Sequence, residues 1–140
     1  MKRFFAIACS LLILCSLAGC HKISVSHDGN AVLTCDTKKI GKPGEGIQVT
    51  VTLTDLETKT VKSYLASAKH CGASGAGCPF HKDLSIAFGD QVIAIGYDSC
   101  GCVWIVGTDD YYELSNEAIS YINSLFEKYA GYHPIATSRT

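Results

Sequence analysis

Apolar and polar residues alternate with a period of two along most of the middle of the chain, which predicts β-strands. The clearest case is residues 47–54, where aliphatic residues occupy the odd positions and Gln or Thr the even ones. Because successive side chains of a strand point to opposite faces, this pattern predicts one buried and one solvated face. Shorter runs predict further strands at residues 23–27, 31–35, 60–66, 84–88, 91–97 and 103–106.

Polar and glycine-rich segments separate these runs and predict turns and loops. Residues 28–30 and 89–90 have the composition of tight hairpin turns, and residues 55–59 are predicted to form a polar turn. Residues 38–46 are predicted to form an exposed loop, and residues 68–83 show no periodicity.

The last element has helical periodicity. Apolar residues recur at helical spacing from Ile119 to Tyr129, which predicts an amphipathic helix over Asn116–Ala130. Ser115 is placed to cap its first turn, and Gly131 stands where a left-handed cap would end it. The polar tail at residues 132–140 is expected to fray.

These elements predict one domain over residues 20–140. The expected fold is mainly β: a small antiparallel β-sandwich or barrel-like domain, built as a hairpin meander, with one C-terminal amphipathic α-helix at residues 116–130. A chain of this length can bury a core without metal or many disulfides.

The first twenty residues form a separate signal. Lys2 and Arg3 precede an apolar run, and Leu17-Ala18-Gly19-Cys20 follows it. This order resembles the signal and lipobox of bacterial lipoprotein precursors. The resemblance implies that residues 1–19 are removed and that Cys20 carries the lipid. A membrane-spanning helix would need roughly 20 apolar residues, and this run is shorter.

The same resemblance implies a location. A lipoprotein of this kind is anchored to a membrane of the bacterial cell envelope through the acyl chains on Cys20. His21, rather than Asp, follows the cysteine. In a Gram-negative host this implies the periplasmic face of the outer membrane.

Charge excludes one class of partner. The chain has a formal net charge of −1 and contains no cluster of Lys and Arg. A nucleic-acid binder would present such a cluster, so no nucleic-acid partner is expected.

Five cysteines follow Cys20, and an exported protein is expected to oxidise them in pairs. They are Cys35, Cys71, Cys78, Cys100 and Cys102. A bridge between Cys71 and Cys78 would close the small-residue loop between them and is the favoured pair. A bridge from Cys35 to Cys100 or Cys102 would join two sheets of a sandwich. Five thiols forming two bridges allow fifteen pairings, so the connectivity stays open.

Two alternatives use the same residues. Cys71, Cys78, His81, Cys100 and Cys102 can supply soft ligands for zinc or cuprous copper. Cys100 and Cys102 can also form a strained, reactive pair, because Gly101 allows the chain to bend between them.

No arrangement of residues indicates catalysis. The chain has no G-x-S-x-G or H-E-x-x-H motif and no complete phosphate-binding loop, so we expect neither an enzyme nor a cofactor. In size and architecture it is similar to periplasmic immunity and inhibitor lipoproteins, which implies a non-catalytic binding module with a protein partner. The alternatives are a cysteine-based metal-binding or thiol-redox protein, and a structural component of an envelope assembly.

Overall fold

The computed structural model describes residues 21–41, 46–98 and 100–136, so the predicted signal at residues 1–19 and the predicted lipidation site Cys20 lie outside the described residues. No helix within these ranges is long and apolar enough to cross a bilayer.

Seven strands form one antiparallel sheet in the described part of the chain. Their bounds are β1 Val32–Asp36, β2 Gln48–Thr52, β3 Lys69–His70, β4 Leu84–Phe88, β5 Gln91–Ile95, β6 Cys102–Ile105 and β7 Tyr111–Glu113. Their order across the sheet is β2-β1-β4-β5-β6-β7-β3. The edges are therefore β2 and the two-residue strand β3.

Two α-helices and one 3₁₀-helix complete the fold. Helix α1 spans Asp55–Ala66, helix α2 spans Asn116–Ala130, and the 3₁₀-helix spans Gly72–Gly77. Helix α2 contacts β1, β2 and α1. The sheet is open, because the helices provide the cover that a second sheet would provide in a sandwich.

The core lies between the sheet and the helices. Leu33, Ile86 and Ile93 stand side by side on neighbouring strands and are fully buried. Ile122 and Phe126 of α2 are buried in the same cluster. Alternation along each strand directs these side chains to one face, as the period-two pattern requires.

The predicted mainly β, antiparallel domain with a C-terminal helix is confirmed. Helix α2 begins and ends at the predicted residues. The Ser115 hydroxyl accepts a hydrogen bond from the Ala118 amide, and Gly131 adopts a φ of 62° at the other end.

The predicted turn at residues 55–59 and strand at residues 60–66 are wrong, since both segments belong to α1. The Thr54 hydroxyl caps the Glu57 amide, and the Glu57 carboxylate accepts from the Thr54 amide, which forms a capping box. Val61 and Leu65, four residues apart, are both buried. Tertiary packing and the cap therefore override the β-branched composition.

The predicted strand at residues 23–27 is also wrong, since this segment pairs with no strand within the described residues. Side-chain contacts, and not strand pairing, hold this segment against the rest of the fold. Ile23 is buried in the core, the Gln91 side chain donates to the Ser24 carbonyl at 3.3 Å, and the Lys62 ammonium donates to the His27 carbonyl.

The tail is ordered as far as residue 136, contrary to the expected fraying. Ile135 is buried, and its amide and carbonyl both bond to the Asn123 side chain, at 3.1 and 2.8 Å. Asp98 forms a parallel bridge with Ile135. The buried side chain of Ile135 is therefore enough to dock this largely polar tail on the core. Residues 137–140 lie outside the described ranges.

Candidate cysteine site

Four of the predicted cysteines gather in one cavity. Cys71, Cys78, Cys100 and Cys102 line a space of about 260 Å³ between the 3₁₀-helix and the ends of β6 and β7. Ser74, Gly75 and Glu113 complete its walls. We refer to these four cysteines as the cysteine site.

The 3₁₀-helix positions the first two cysteines, because Cys71 precedes it and Cys78 follows it. The Cys71 amide donates to the Tyr111 carbonyl of β7 at 3.0 Å, and the Cys78 amide donates to the Gly75 carbonyl at 3.2 Å. A Cβ on the buried Gly75 would lie 2.4 Å from the Tyr111 Cβ and 3.0 Å from the Cys71 Sγ. Only glycine lets the helix approach β7 this closely.

Gly101 positions the other two cysteines of the site, Cys100 and Cys102. Its φ of 62° lies in the left-handed region, where side chains other than glycine are strained. The chain bends there, and Cys102 then starts β6 opposite Glu113 of β7. The Cys102 Sγ lies 3.4 Å from the Cys100 carbonyl oxygen, to which it donates. The bend brings two residues that are close in sequence to the same cavity.

The thiols interact with one another. Burial raises the pKa of Cys78, and its contacts with the Cys100 and Cys102 thiols raise that pKa further. Burial is also the main reason why the pKa of Cys102 is raised; its contact with Cys78 lowers that pKa, and the neighbouring Cys71 thiol raises it. Cys102 therefore stands between Cys71 and Cys78, and Cys78 reaches Cys100.

No disulfide is found among the described cysteines. The favoured Cys71–Cys78 bridge therefore finds no support. The contacts place Cys102 next to both Cys71 and Cys78, and Cys78 next to Cys100, so two simultaneous bridges would be Cys71–Cys102 and Cys78–Cys100.

Cys35 lies apart from the cysteine site. It is buried in β1, and β4 and β5 separate β1 from β6. Three strand spacings amount to about 14 Å. A disulfide needs Cα atoms within about 7 Å. The predicted bridge from Cys35 to Cys102 therefore does not fit this sheet.

His81, a candidate ligand in the alternative metal-binding hypothesis, does not line the cavity. Its Nδ1 lies 3.3 Å from an Asp83 carboxylate oxygen and accepts from the Asp83 amide at 3.2 Å. Ser74 and Glu113 line the cavity but were not predicted to lie beside the cysteines. Glu113 reaches the site only through the pairing of β7 with β6, and β7 was not predicted.

The potential metal ligands of the cysteine site are mainly soft sulfur donors, and they lie close together. Four thiols and one nearby carboxylate can bind a thiophilic cation once the thiols lose their protons. The same thiols can oxidise to two disulfides. Metal binding would release thiol protons to the solvent, whereas each disulfide would need an external oxidant that accepts two electrons.

The chain was compared with protein-family models, with curated proteins and with solved structures, and no match was found in any of them.

Proposed function

We propose that this protein is a membrane-anchored, non-catalytic binding protein of the bacterial envelope, and that the cysteine site binds a thiophilic metal ion, Zn²⁺ or Cu⁺. The observation that carries the proposal is the convergence of four cysteines from three segments on one small cavity. Three separate backbone devices, namely Gly75, Gly101 and the β6–β7 pairing, bring them there.

The ligand set matches the chemistry of such ions. Structural zinc sites are tetrahedral and often use four thiolates at about 2.3 Å. The metal cation would displace the thiol protons, and Glu113 would add negative charge at the wall of the cavity. Binding would release protons and is expected to weaken as pH falls.

A metal-binding role accounts for the burial of the cysteine thiols better than a thiol redox role does. A reactive cysteine needs a pKa lowered by cationic neighbours or by a helix N-terminus. Burial instead raises the pKa of Cys78 and Cys102, so neither thiol is a ready nucleophile at neutral pH. A cation that replaces the proton removes this penalty.

Cobalt is a direct probe of the site. The full chain, purified in detergent and kept reduced, should bind one Co²⁺ with the charge-transfer absorption of cobalt–thiolate bonds, and Zn²⁺ should displace it. Cys71→Ser and Cys102→Ser should each lose this absorption. Cys35→Ala is the matched control, because it removes a cysteine outside the cavity and should leave the spectrum unchanged.

The competing outcome is a pair of structural disulfides. Mass spectrometry of protein isolated from membranes without reductant would then find Cys71 joined to Cys102 and Cys78 joined to Cys100. If the reduced protein also took up no cobalt, the metal proposal would be wrong. A protein partner, as in immunity or inhibitor lipoproteins, stays a separate prediction.

A further inference from the structure

We propose a second metal site, for a divalent first-row ion such as Zn²⁺, formed by His21, His70 and Asp110. This proposal does not depend on the cysteine site. The three side chains come from the N-terminal segment, β3 and the residue before β7, and their ligand atoms all lie within 4.8 Å of one another.

Two of the three ligands already stand at metal-binding separation. The His70 Nε2 lies 3.3 Å from the Asp110 Oδ1. Ligand atoms of a tetrahedral zinc ion, each at about 2.0–2.1 Å from the metal, are about 3.4 Å apart. The His21 ring stacks on the His70 ring with centroids 4.7 Å apart, and its ligand atom lies within 4.8 Å of the other two. Because imidazole lone pairs lie in the plane of the ring, the His21 side chain must turn out of this stack to complete the set.

The His70 nitrogen lacks a directional partner. Its Nε2 is buried and makes no hydrogen bond, although the Asp110 carboxylate lies near. A buried nitrogen without a hydrogen bond is costly, and coordination of a cation would satisfy it. Two imidazoles and one carboxylate form a donor set used by zinc and other first-row ions, with positions left open for water.

Backbone pairing and hydrogen bonds position two of the ligands. His70 pairs with Tyr112 of β7, and its ring packs edge-on against the Tyr112 ring at 5.1 Å. The Asp110 carbonyl accepts from the Ile105 amide at 3.1 Å, and its amide donates to the Thr108 hydroxyl at 3.0 Å. Only the exposed His21 needs to move.

This site lies on the opposite face of the sheet from the cysteine site. Side chains alternate along a strand, so Asp110 and Tyr112 point away from Tyr111 and Glu113. Glu113 lines the cysteine cavity, and Tyr111 lies against Gly75 of its wall. The two sites can therefore be filled and tested separately.

Zn²⁺ titration of the full chain in detergent tests the proposal, followed by the NMR signals of the imidazoles and by calorimetry. The titrated chain and all its variants carry Cys71→Ser and Cys102→Ser, because these changes remove two ligands of the cysteine site and leave the histidine site intact. The His21 and His70 signals should shift together and saturate with a single ion. His21→Gln and Asp110→Asn should each weaken this binding by roughly tenfold or more. His133→Gln is the matched control, because it removes the imidazole of another His–carboxylate pair, 3.3 Å from Glu127, which has no second histidine.

Every outcome of this titration either supports or overturns the proposed histidine site. Unresponsive His21 and His70 signals, or unchanged binding by His21→Gln, would overturn the proposal. Because His21 is exposed, its substitution is not expected to unfold the chain. Failure of the cysteine site would appear instead as missing cobalt–thiolate absorption, so the two outcomes are distinguishable.

Discussion

At the scale of single residues, Glu57 is the polar side chain that most clearly joins parts of the fold. Its carboxylate accepts from the Thr54 amide at 2.9 Å, from the Lys128 ammonium at 2.7 Å and from the Tyr129 hydroxyl at 2.8 Å. It therefore caps α1 and ties that helix to the end of α2. Burial alone would raise the pKa of Glu57, but these hydrogen bonds outweigh burial and lower it to about 2.

Glu57→Gln should reduce the free energy of unfolding at pH 7 by about 1–3 kcal/mol, because Gln keeps the shape but loses charge-assisted hydrogen bonds. A lowered carboxyl pKa stabilises the fold above the unfolded value and loses this contribution as pH falls through the folded value. The native protein should therefore lose stability between pH 4.5 and about 2, and the variant should lose less.

Urea denaturation at several pH values measures both effects. The two curves should converge near pH 2, where Glu57 is protonated in the native protein. Glu127→Gln is the control, because that carboxylate is 55% exposed and pairs only with His133 among the contacts recorded for it. A constant difference between native protein and Glu57→Gln across this range would contradict the assigned role of the carboxylate.

At the scale of elements, the 3₁₀-helix is the piece that the cysteine site depends on most. A methyl group on Gly75 would meet the Tyr111 Cβ at 2.4 Å, so the helix would have to move away from β7. The same change at Gly77 meets nothing within 4 Å. The two positions differ in packing and not in residue type.

Gly75→Ala should therefore destabilise the protein by about 1–3 kcal/mol through overpacking. It should also weaken cobalt binding, because Cys71 and Cys78 stand at the two ends of the displaced helix. Gly77→Ala should bind cobalt like the native chain. Equal behaviour of the two variants, by thermal unfolding and by cobalt absorption, would show that the helix does not set the geometry of the site.

The elements that the sequence predicted well are those whose signal is local. Helix α2 has a cap at each end and a regular apolar stripe, and both survive in the fold. Helix α1 was missed although Thr54 and Glu57 carry the spacing of a capping box, because threonines and a valine imitate a strand. The short strands β3 and β7 have no local signal, since β3 is a strand only through its pairing with β7, and β7 through its pairings with β3 and β6.

For the cysteine site, too, the local features could be predicted from the sequence and the long-range contacts could not. The sequence identifies Cys71, Cys78, Cys100 and Cys102 as chemically important by residue type alone. Their convergence, the entry of Glu113 and the exclusion of His81 and Cys35 depend on pairings between distant strands. His70 and Asp110 meet for the same reason, across forty residues of chain.

At the scale of the whole molecule, the proposed anchor determines where the described domain works. Ile23 packs into the core only three residues after Cys20, so acyl chains on that cysteine would hold the domain close to the bilayer. His21 would then lie between lipid and fold. The tether is therefore short.

Cys20→Ser should abolish lipidation and leave residues 1–19 attached or the product released from membranes. Fractionation and intact-mass measurement of the native protein should find residues 1–19 absent and acyl mass on Cys20. Cys35→Ala is again the control and should fractionate like the native chain. An unacylated native product retaining its first nineteen residues would contradict the anchor.

The strand β7 is only three residues long, yet both proposed sites adjoin it: Glu113 lines the cysteine cavity, and Asp110 of the second site directly precedes the strand. Its neighbour at the edge of the sheet, β3, has only two residues, so few backbone bonds keep this border closed. If β3 separated from β7, the ligands of both proposed sites would lose their arrangement at the same time. Conversely, an ion bound on either side of the sheet would help to keep this border closed.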